Sequence, residues 1–464
     1  MSWLPHRIVH RPYCSLLGTF VLWKAFLLLL AVLAPGPGYD TSTTLAQWSS
    51  SGPDGPIPAL LRRISIKLTR WDAIYFTEAA RRGYLFEQEW AFSYAVNRLI
   101  NFVTNGVQHI CAFDYEFGES LVSIAVSHGA HAMSVLFLHR LACTILPGMQ
   151  GRRLAFIAAC LHIISPAGLF MSAPNAESIY SLLSFTGALL FAQSFGSSGG
   201  STGTQDGLLV LAGIVCGLAT SVRGNGLLNG LLFLEEAFGI SYSLTQCFTF
   251  DKFRRLFAVS LGGICTGLGF VLPQYLAYRE FCVDYTSTHV GAPRVWCNRA
   301  LPSIYSFVQD HYWNNGFLRY WTLSNVPLFA LASPMLVILT YSAFWSLDAE
   351  SDLNRTSMAL KEQVESRPQL AGRLLRSLAA SQIILTVQVF LCNHVQIITR
   401  LSSGYPVWYI WVAALLVRKY PVGTSRDEQT RDKGKDWYAN AIVQYMVIYG
   451  IVQGALFASF LPPA

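Results

Sequence analysis

Charge is what this 464-residue chain has least of. Asp, Glu, Lys and Arg make up 13% of it, about half the roughly 25% of an average soluble domain. So few polar side chains cannot cover a water-facing surface, which excludes an ordinary soluble enzyme. With 53% hydrophobic residues and a mean hydropathy of +0.39, the chain reads as an all-α polytopic membrane protein whose partner is the lipid bilayer. The ten cysteines form no Cys-x-x-Cys pair and no tight cluster with histidine, so no zinc site is expected. Also missing are the phosphate-binding Gly-x-x-x-x-Gly-Lys-Ser/Thr loop, His-Glu-x-x-His and the calcium loop. Their absence removes the common ATPases, zinc proteases and calcium sensors. No fixed-period repeat is present. The net charge of +7 does not indicate nucleic acid, because the basic residues lie between apolar runs and read as topology determinants.

Eleven apolar runs are present, at about 16–34, 119–146, 154–173, 176–195, 207–222, 225–239, 256–278, 326–346, 377–395, 405–417 and 439–460. They predict about 11 transmembrane helices in one membrane domain spanning 1–464. His6, Arg7, His10 and Arg11 precede the first run, which reads as a retained signal anchor with a cytoplasmic amino terminus. Loop charge then alternates. Segments 35–118 and 279–325 fall on the luminal side, whereas 348–376 and the basic stretch 418–435 fall in the cytoplasm. Runs 207–239 and 405–417 are the weak ones, the first broken by Arg223-Gly224-Asn225-Gly226, the second short and aromatic. Leu60–Arg82 alternates apolar and basic residues at helical spacing and is expected to form amphipathic helices lying at the interface. Cys282 and Cys297 share one luminal loop, where they either pair or stay free.

Chemistry-bearing words cluster at the luminal ends. Arg70-Trp71-Asp72 places a carboxylate beside a cation at the water–lipid boundary. Sugar transfer from a phosphate-linked donor needs a base for the acceptor hydroxyl and cations for the leaving phosphate, but an interfacial ion pair explains the same word. Glu177 heads an apolar helix after a Pro-containing turn, which suits either the helix dipole or contact with sugar hydroxyls. Arg223 between two apolar runs, with Gly224, Asn225 and Gly226, suits a phosphate or a snorkelling turn. Gln309, Asp310, Tyr305, Trp313, Asn314 and Tyr320 mix aromatics with polar groups, as a sugar site or an aromatic belt does. His394 and Arg400 close a span, Arg400 as a second phosphate contact, His394 either as a substrate contact or as a structural residue.

In order, these words resemble a known family. Trp71-Asp72-Ala73 with Gly83-Tyr84-Leu85 and Glu87 is similar to the first luminal loop of the PIG-V-like GPI mannosyltransferases. Ser165-Pro166-Ala167, Glu177-Ser178, Val222-Arg223 and Asn225-Gly226 continue the resemblance. Trp296-Cys297, Ile304 through Asp310, Tyr312-Trp313-Asn314, Gly316 through Tyr320 and finally His394-Val395-Gln396 with Thr399-Arg400 complete it. The resemblance implies a type C (GT-C) glycosyltransferase of the endoplasmic reticulum membrane with a luminal active site. It implies dolichyl-phosphate mannose as donor and a glycosylphosphatidylinositol (GPI) precursor as acceptor, the second mannose being added in α-1,6 linkage. Asp72 would be the base, Arg223 and Arg400 the phosphate contacts, and Arg70, Trp71, Glu177, Asn225, Gln309, Asp310, Trp313, Asn314 and His394 the substrate contacts. No cofactor or metal is implied, since two arginines suffice for a monophosphate donor. Fungal relatives add a small membrane partner subunit. One departure stands out: where the family carries Phe-Phe-Pro-x-x-Pro, this chain reads Phe92-Ser93-Tyr94-Ala95-Val96-Asn97, and losing both prolines frees the local backbone.

Three rival readings follow from the same residues. Another dolichyl-phosphate-mannose-dependent mannosyltransferase differs only in its acceptor. A lipid transporter predicts inverted repeats and charges deep within spans. A non-catalytic subunit of the endoplasmic reticulum membrane predicts tolerance of Asp72→Asn.

Overall fold

The computed structural model describes residues 11–36, 55–111, 117–146, 148–196, 202–284, 294–358, 367–419 and 437–461. Every regular element among them is helical. Each of the eleven apolar runs carries a helix. Those of α1 (Pro12–Leu33), α5 (Gly118–Ile145), α8 (Thr202–Val222), α10 (Phe250–Tyr278), α12 (Val326–Met358), α13 (Arg367–Cys392) and α16 (Trp437–Ala458) make seven long and apolar enough to cross a membrane. This is a multi-pass membrane protein.

The other four helices are short. They are α6 (Gly148–Ile163, 16 residues), α7 (Glu177–Gln193, 17), α9 (Gly230–Gln246, 17) and α15 (Pro406–Lys419, 14). At 1.5 Å per residue they reach about 21–26 Å, short of the ~30 Å hydrocarbon layer. For α15 the reason is burial. Val407, Trp408, Tyr409, Ile410, Val412 and Ala413 have no exposed surface, so the first half of this helix packs against protein rather than lipid. By contrast α10 shows Phe253, Phe257, Ile264, Val271 and Tyr275 to the outside, one helical face of the kind that meets lipid.

Small residues let α8 and α10 touch. A Cβ added to Gly213 would lie 2.3 Å from the Gly262 Cα, and one on Gly217 would lie 2.4 Å from the Cys265 carbonyl oxygen, the close packing that small residues allow between membrane helices. The loop end of α8 continues as Arg223 and a 3-10 turn, Gly224–Asn229, into α9. At the opposite end an ionic layer gathers the charges expected there. Arg254 meets Asp206 at 2.6 Å, and Glu236 receives Arg255 at 3.4 Å and Arg373 at 2.7 Å.

Between α1 and α5 lie α2 (Pro56–Leu68), α3 (Asp72–Arg82) and α4 (Tyr94–Cys111), the first two where amphipathic helices were expected. The second large loop carries the short α11 (Ile304–His311). Cys282 and Cys297 are disulfide-bonded, and the neighbouring Trp296 donates its indole N–H to Glu87 Oε1 at 2.7 Å. The two loops are thereby clasped to each other. The expected 348–376 loop is largely helical, because α12 runs on to Met358 and α13 starts at Arg367. Residues 359–366, the basic segment 420–436, and His6, Arg7 and His10 lie outside the described residues.

Candidate active site

Four chain segments meet at one end of the bundle. The first is the break between α2 and α3. Trp71 adopts φ 55 and ψ −127, a conformation that costs a side-chain-bearing residue of order 1–3 kcal/mol and collects at functional sites. The break presents Asp72 as the first residue of α3, where a carboxylate also favours the helix dipole. Behind it, Trp71 packs edge-to-face on Phe460 at 5.1 Å and the Arg70 guanidinium lies 4.6 Å over the same ring. Arg70 is 2% exposed. The resemblance makes both substrate contacts; the contacts seen here anchor the break to the end of α16.

The second segment is the turn 164–176, which ends in Glu177 at the start of α7. The third is Arg223 at the end of α8. The fourth is the turn between α13 and α15, which carries Arg400 on the single turn Ile398–Leu401 (α14). Their side chains form one cluster. Arg400 donates through Nε at 2.8 Å and Nη2 at 2.7 Å to Glu177 Oε1, and through Nη1 at 2.7 Å to Asp72 Oδ2. Arg223 Nη1 reaches the same Glu177 oxygen at 2.7 Å. Phe170 supports Arg400 from below, its ring 4.0 Å from the guanidinium carbon. Burial by itself would lower the Arg400 pKa, but Glu177 and then Asp72 outweigh it and hold the guanidinium above its ordinary value.

Exposure separates the two carboxylates. The Glu177 side chain is 1% exposed and that of Asp72 is 36%. Glu177 is therefore a buried anchor for two guanidinium groups, and Asp72 is the carboxylate open to the outside. Its Oδ1 makes no hydrogen bond among the described residues. Two anions and two cations balance in this cluster.

An aromatic wall leads away from Asp72. Tyr75, one turn along α3, stacks on Phe92 at 4.5 Å, and Phe92 meets Trp313 edge-to-face at 5.4 Å. His394 Nε2 bonds the Trp313 carbonyl at 2.9 Å, and its ring stacks on Tyr320 at 4.7 Å. Tyr320 donates to Gln396 at 3.0 Å, four residues before Arg400. Trp313 and His394 thus join the wall. Asn225 donates to the Tyr405 hydroxyl at 3.1 Å, just behind Arg223. Gln309 instead accepts from Asn315, Asp310 pairs with Arg319 and Arg299 on the surface, and Asn314 is exposed at φ 50. Arg319, by hydrogen bond and charge, holds the Asp310 carboxyl below its ordinary pKa.

The proline-poor segment is tied by side chains. Ser93 Oγ accepts from the Val96 N–H at 3.2 Å as α4 begins, Tyr84 donates to the Ser93 carbonyl at 3.0 Å, and Asn97 donates to the Tyr84 hydroxyl at 2.8 Å. Phe92 is thereby fixed against Tyr75 without either proline. Tyr75, Phe92, Phe170, Tyr405 and Phe460 were not singled out as site residues from sequence. Only their nearness to polar words hinted at them, and apolar surroundings conceal that signal.

Known proteins resemble the whole chain. The family described as Mannosyltransferase (PIG-V) matches residues 14–464. A GPI mannosyltransferase 2 from Chaetomium globosum is 42% identical over 99% of this chain and 98% of its own length. A GPI alpha-1,6-mannosyltransferase 2 from Cricetulus griseus is 31% identical over 78% of this chain and 75% of its own. Among solved structures, the archaeal oligosaccharyltransferase AglB from Archaeoglobus fulgidus superposes with a TM-score of 0.49 at 13% identity, over 95% of this chain and 56% of that one.

Proposed function

Because the chain belongs to the PIG-V mannosyltransferase family, we propose that the Asp72–Arg400–Glu177–Arg223 cluster is where it transfers mannose. The protein is a mannosyltransferase of GPI-anchor assembly, making an α-1,6 linkage. The observation that carries the site assignment is the single guanidinium of Arg400 bridging a buried and an accessible carboxylate.

In our reading the donor is dolichyl-phosphate mannose and the acceptor is the mannosylated GPI precursor, so that the second mannose is added. Asp72 takes the proton of the acceptor 6-hydroxyl. That oxygen bonds to the anomeric carbon of the donor mannose as the bond from this carbon to the phosphate oxygen breaks. Attack from the opposite face converts a β-linked donor into an α product. Arg223 and Arg400 carry the negative charge left on the leaving phosphate, the term that is usually largest in such catalysis. Glu177 keeps both guanidinium groups in place before substrate arrives. The aromatic wall from Tyr75 to Tyr320 offers ring faces to sugar. A divalent ion has no task in this scheme, so EDTA is expected to leave transfer unchanged.

We place the protein in the endoplasmic reticulum membrane with this site in the lumen, as a type C glycosyltransferase. The Cys282–Cys297 disulfide supports an oxidising compartment for the loop end. A small membrane partner subunit is part of the proposal, and co-purification from detergent tests it. Complementation tests the activity. Cells lacking GPI α-1,6-mannosyl transfer should regain GPI-anchored surface proteins and lose the accumulated one-mannose glycolipid. Persistence of that glycolipid with well-expressed protein would contradict the assignment.

A further inference from the structure

Lys24 is the sole charged residue of α1, nine positions before its end at Leu33, or about 13 Å of helix rise. It is 4% exposed, and among the described residues no carboxylate forms an ion pair with it. An intramembrane cation is expensive and marks a functional connection. Its ammonium donates to Ser172 Oγ at 2.7 Å and to the Met171 carbonyl at 3.4 Å. The Met171 carbonyl also accepts from Ser178 Oγ at 2.7 Å, the residue next to Glu177. Across the same turn, Ser127 on α5 donates to the Ala173 carbonyl at 2.8 Å.

That turn is the floor of the cluster. Phe170, immediately before Met171, is the ring beneath Arg400, and it packs edge-to-face on Phe457 at 5.0 Å. The turn also leaves Gly168 at φ 51 with no room for a Cβ, which would come 2.5 Å from Gln453 Oε1. A single buried cation on the first helix therefore holds both the aromatic seat of Arg400 and the carbonyl that fixes the start of α7.

We propose that Lys24 is a positioning residue for mannosyl transfer, acting through the 168–172 turn to hold Phe170 and, through it, Arg400. The inference rests on Arg400 belonging to the transfer site. Misplacement of a reacting group by about 1 Å is enough for a roughly 100-fold loss. The effect therefore belongs in turnover by folded enzyme rather than in the amount of it.

The test measures transfer from radiolabelled dolichyl-phosphate mannose to GPI precursor, using full-length protein in membranes. Rates are normalised to the monodisperse fraction on size exclusion. Lys24→Met should lower kcat by about 10- to 100-fold, with a smaller change in donor KM. Phe170→Leu should lower it by a similar factor, and the double variant should be no worse than the poorer single one, because both act through one turn. Lys24→Arg, which keeps a donor cation, should recover part of the loss. Ser172→Ala is the milder second probe if Lys24→Met does not fold, and it should likewise be non-additive with Phe170→Leu. Wild-type kcat in folded Lys24→Met, or losses that multiply in the double variants, would overturn the proposal. Arg400→Ala run alongside separates the two layers. If it is inactive while Lys24→Met is normal, only the positioning role fails; if it retains full transfer, the site itself is misassigned.

Discussion

Replacing Arg400 by lysine keeps the charge and removes the shape, and so isolates what the bridge does. The guanidinium makes three hydrogen bonds to two carboxylates, at 2.8 and 2.7 Å to Glu177 and at 2.7 Å to Asp72. A lysine ammonium is a point charge on a flexible stem, without the planar fork that spans both carboxylates, and is expected to keep one of the three bonds. Two charge-assisted bonds are then lost, at about 1.5–3 kcal/mol each, or roughly 3–6 kcal/mol in all. At about 1.4 kcal/mol per factor of ten, kcat/KM for mannosyl transfer should fall by about 100- to 20,000-fold. The assay is initial-rate transfer in membranes with the folded fraction measured by size exclusion. A fall smaller than about threefold in folded Arg400→Lys would show that positive charge alone suffices, and the argument from bridging geometry would be wrong.

Other consequences follow from the same contacts. Glu177→Gln removes the buried anion between two guanidinium groups, a change of about 3–5 kcal/mol by the usual cost of orphaning a buried pair. Both thermal stability and transfer should drop, and unchanged melting of the purified protein would refute the anchoring role. Trp71 sits at φ 55, so Trp71→Gly should retain more transfer than Trp71→Ala, by up to about 1 kcal/mol in stability; the reverse order would show that the backbone there is unstrained. Cys282→Ser opens a disulfide spanning a sequence separation of 15, expected to cost about 3 kcal/mol and to lower the thermal midpoint, whereas a wild-type midpoint would mean that the Glu87–Trp296 clasp holds the loops unaided.

The transmembrane part of this fold is legible because lipid imposes it. Runs such as 256–278 must be apolar on the face that α10 turns outward, at Phe257, Ile264 and Val271. The same logic hides α15, whose 14 residues are too few for a span and are explained by the burial of its first half. For the site, Asp72, Glu177, Arg223 and Arg400 could be read as polar words at one end of the bundle. Their division of labour could not. Glu177 reads in sequence as either a helix-dipole acid or a sugar contact; its ion pair to Arg400 is invisible there, because that partner lies 223 residues away and Asp72 meets the same arginine across 328. Nor does proximity in sequence show that Arg70, which neighbours Asp72, stacks on Phe460. In the 302–325 loop, density of aromatic and amide groups did not reveal that Gln309 and Asp310 spend their hydrogen bonds within the loop, at Asn315 and Arg319. Lys24 was legible only as one lysine in an apolar run; its meaning depends on a turn 147 residues further on.

The central claim is that Asp72 is the base, and one substitution tests it most directly. Asp72→Asn keeps the side chain's size and can still accept from Arg400 through its amide oxygen, but it cannot take a proton. In membranes supplied with dolichyl-phosphate mannose and GPI precursor, the folded variant should lose transfer by about 100-fold or more, in line with the loss of a general base. Donor binding, read from KM or from protection against thermal denaturation, should persist. Transfer within about threefold of wild type would contradict the account, and would move the base to another residue of the wall.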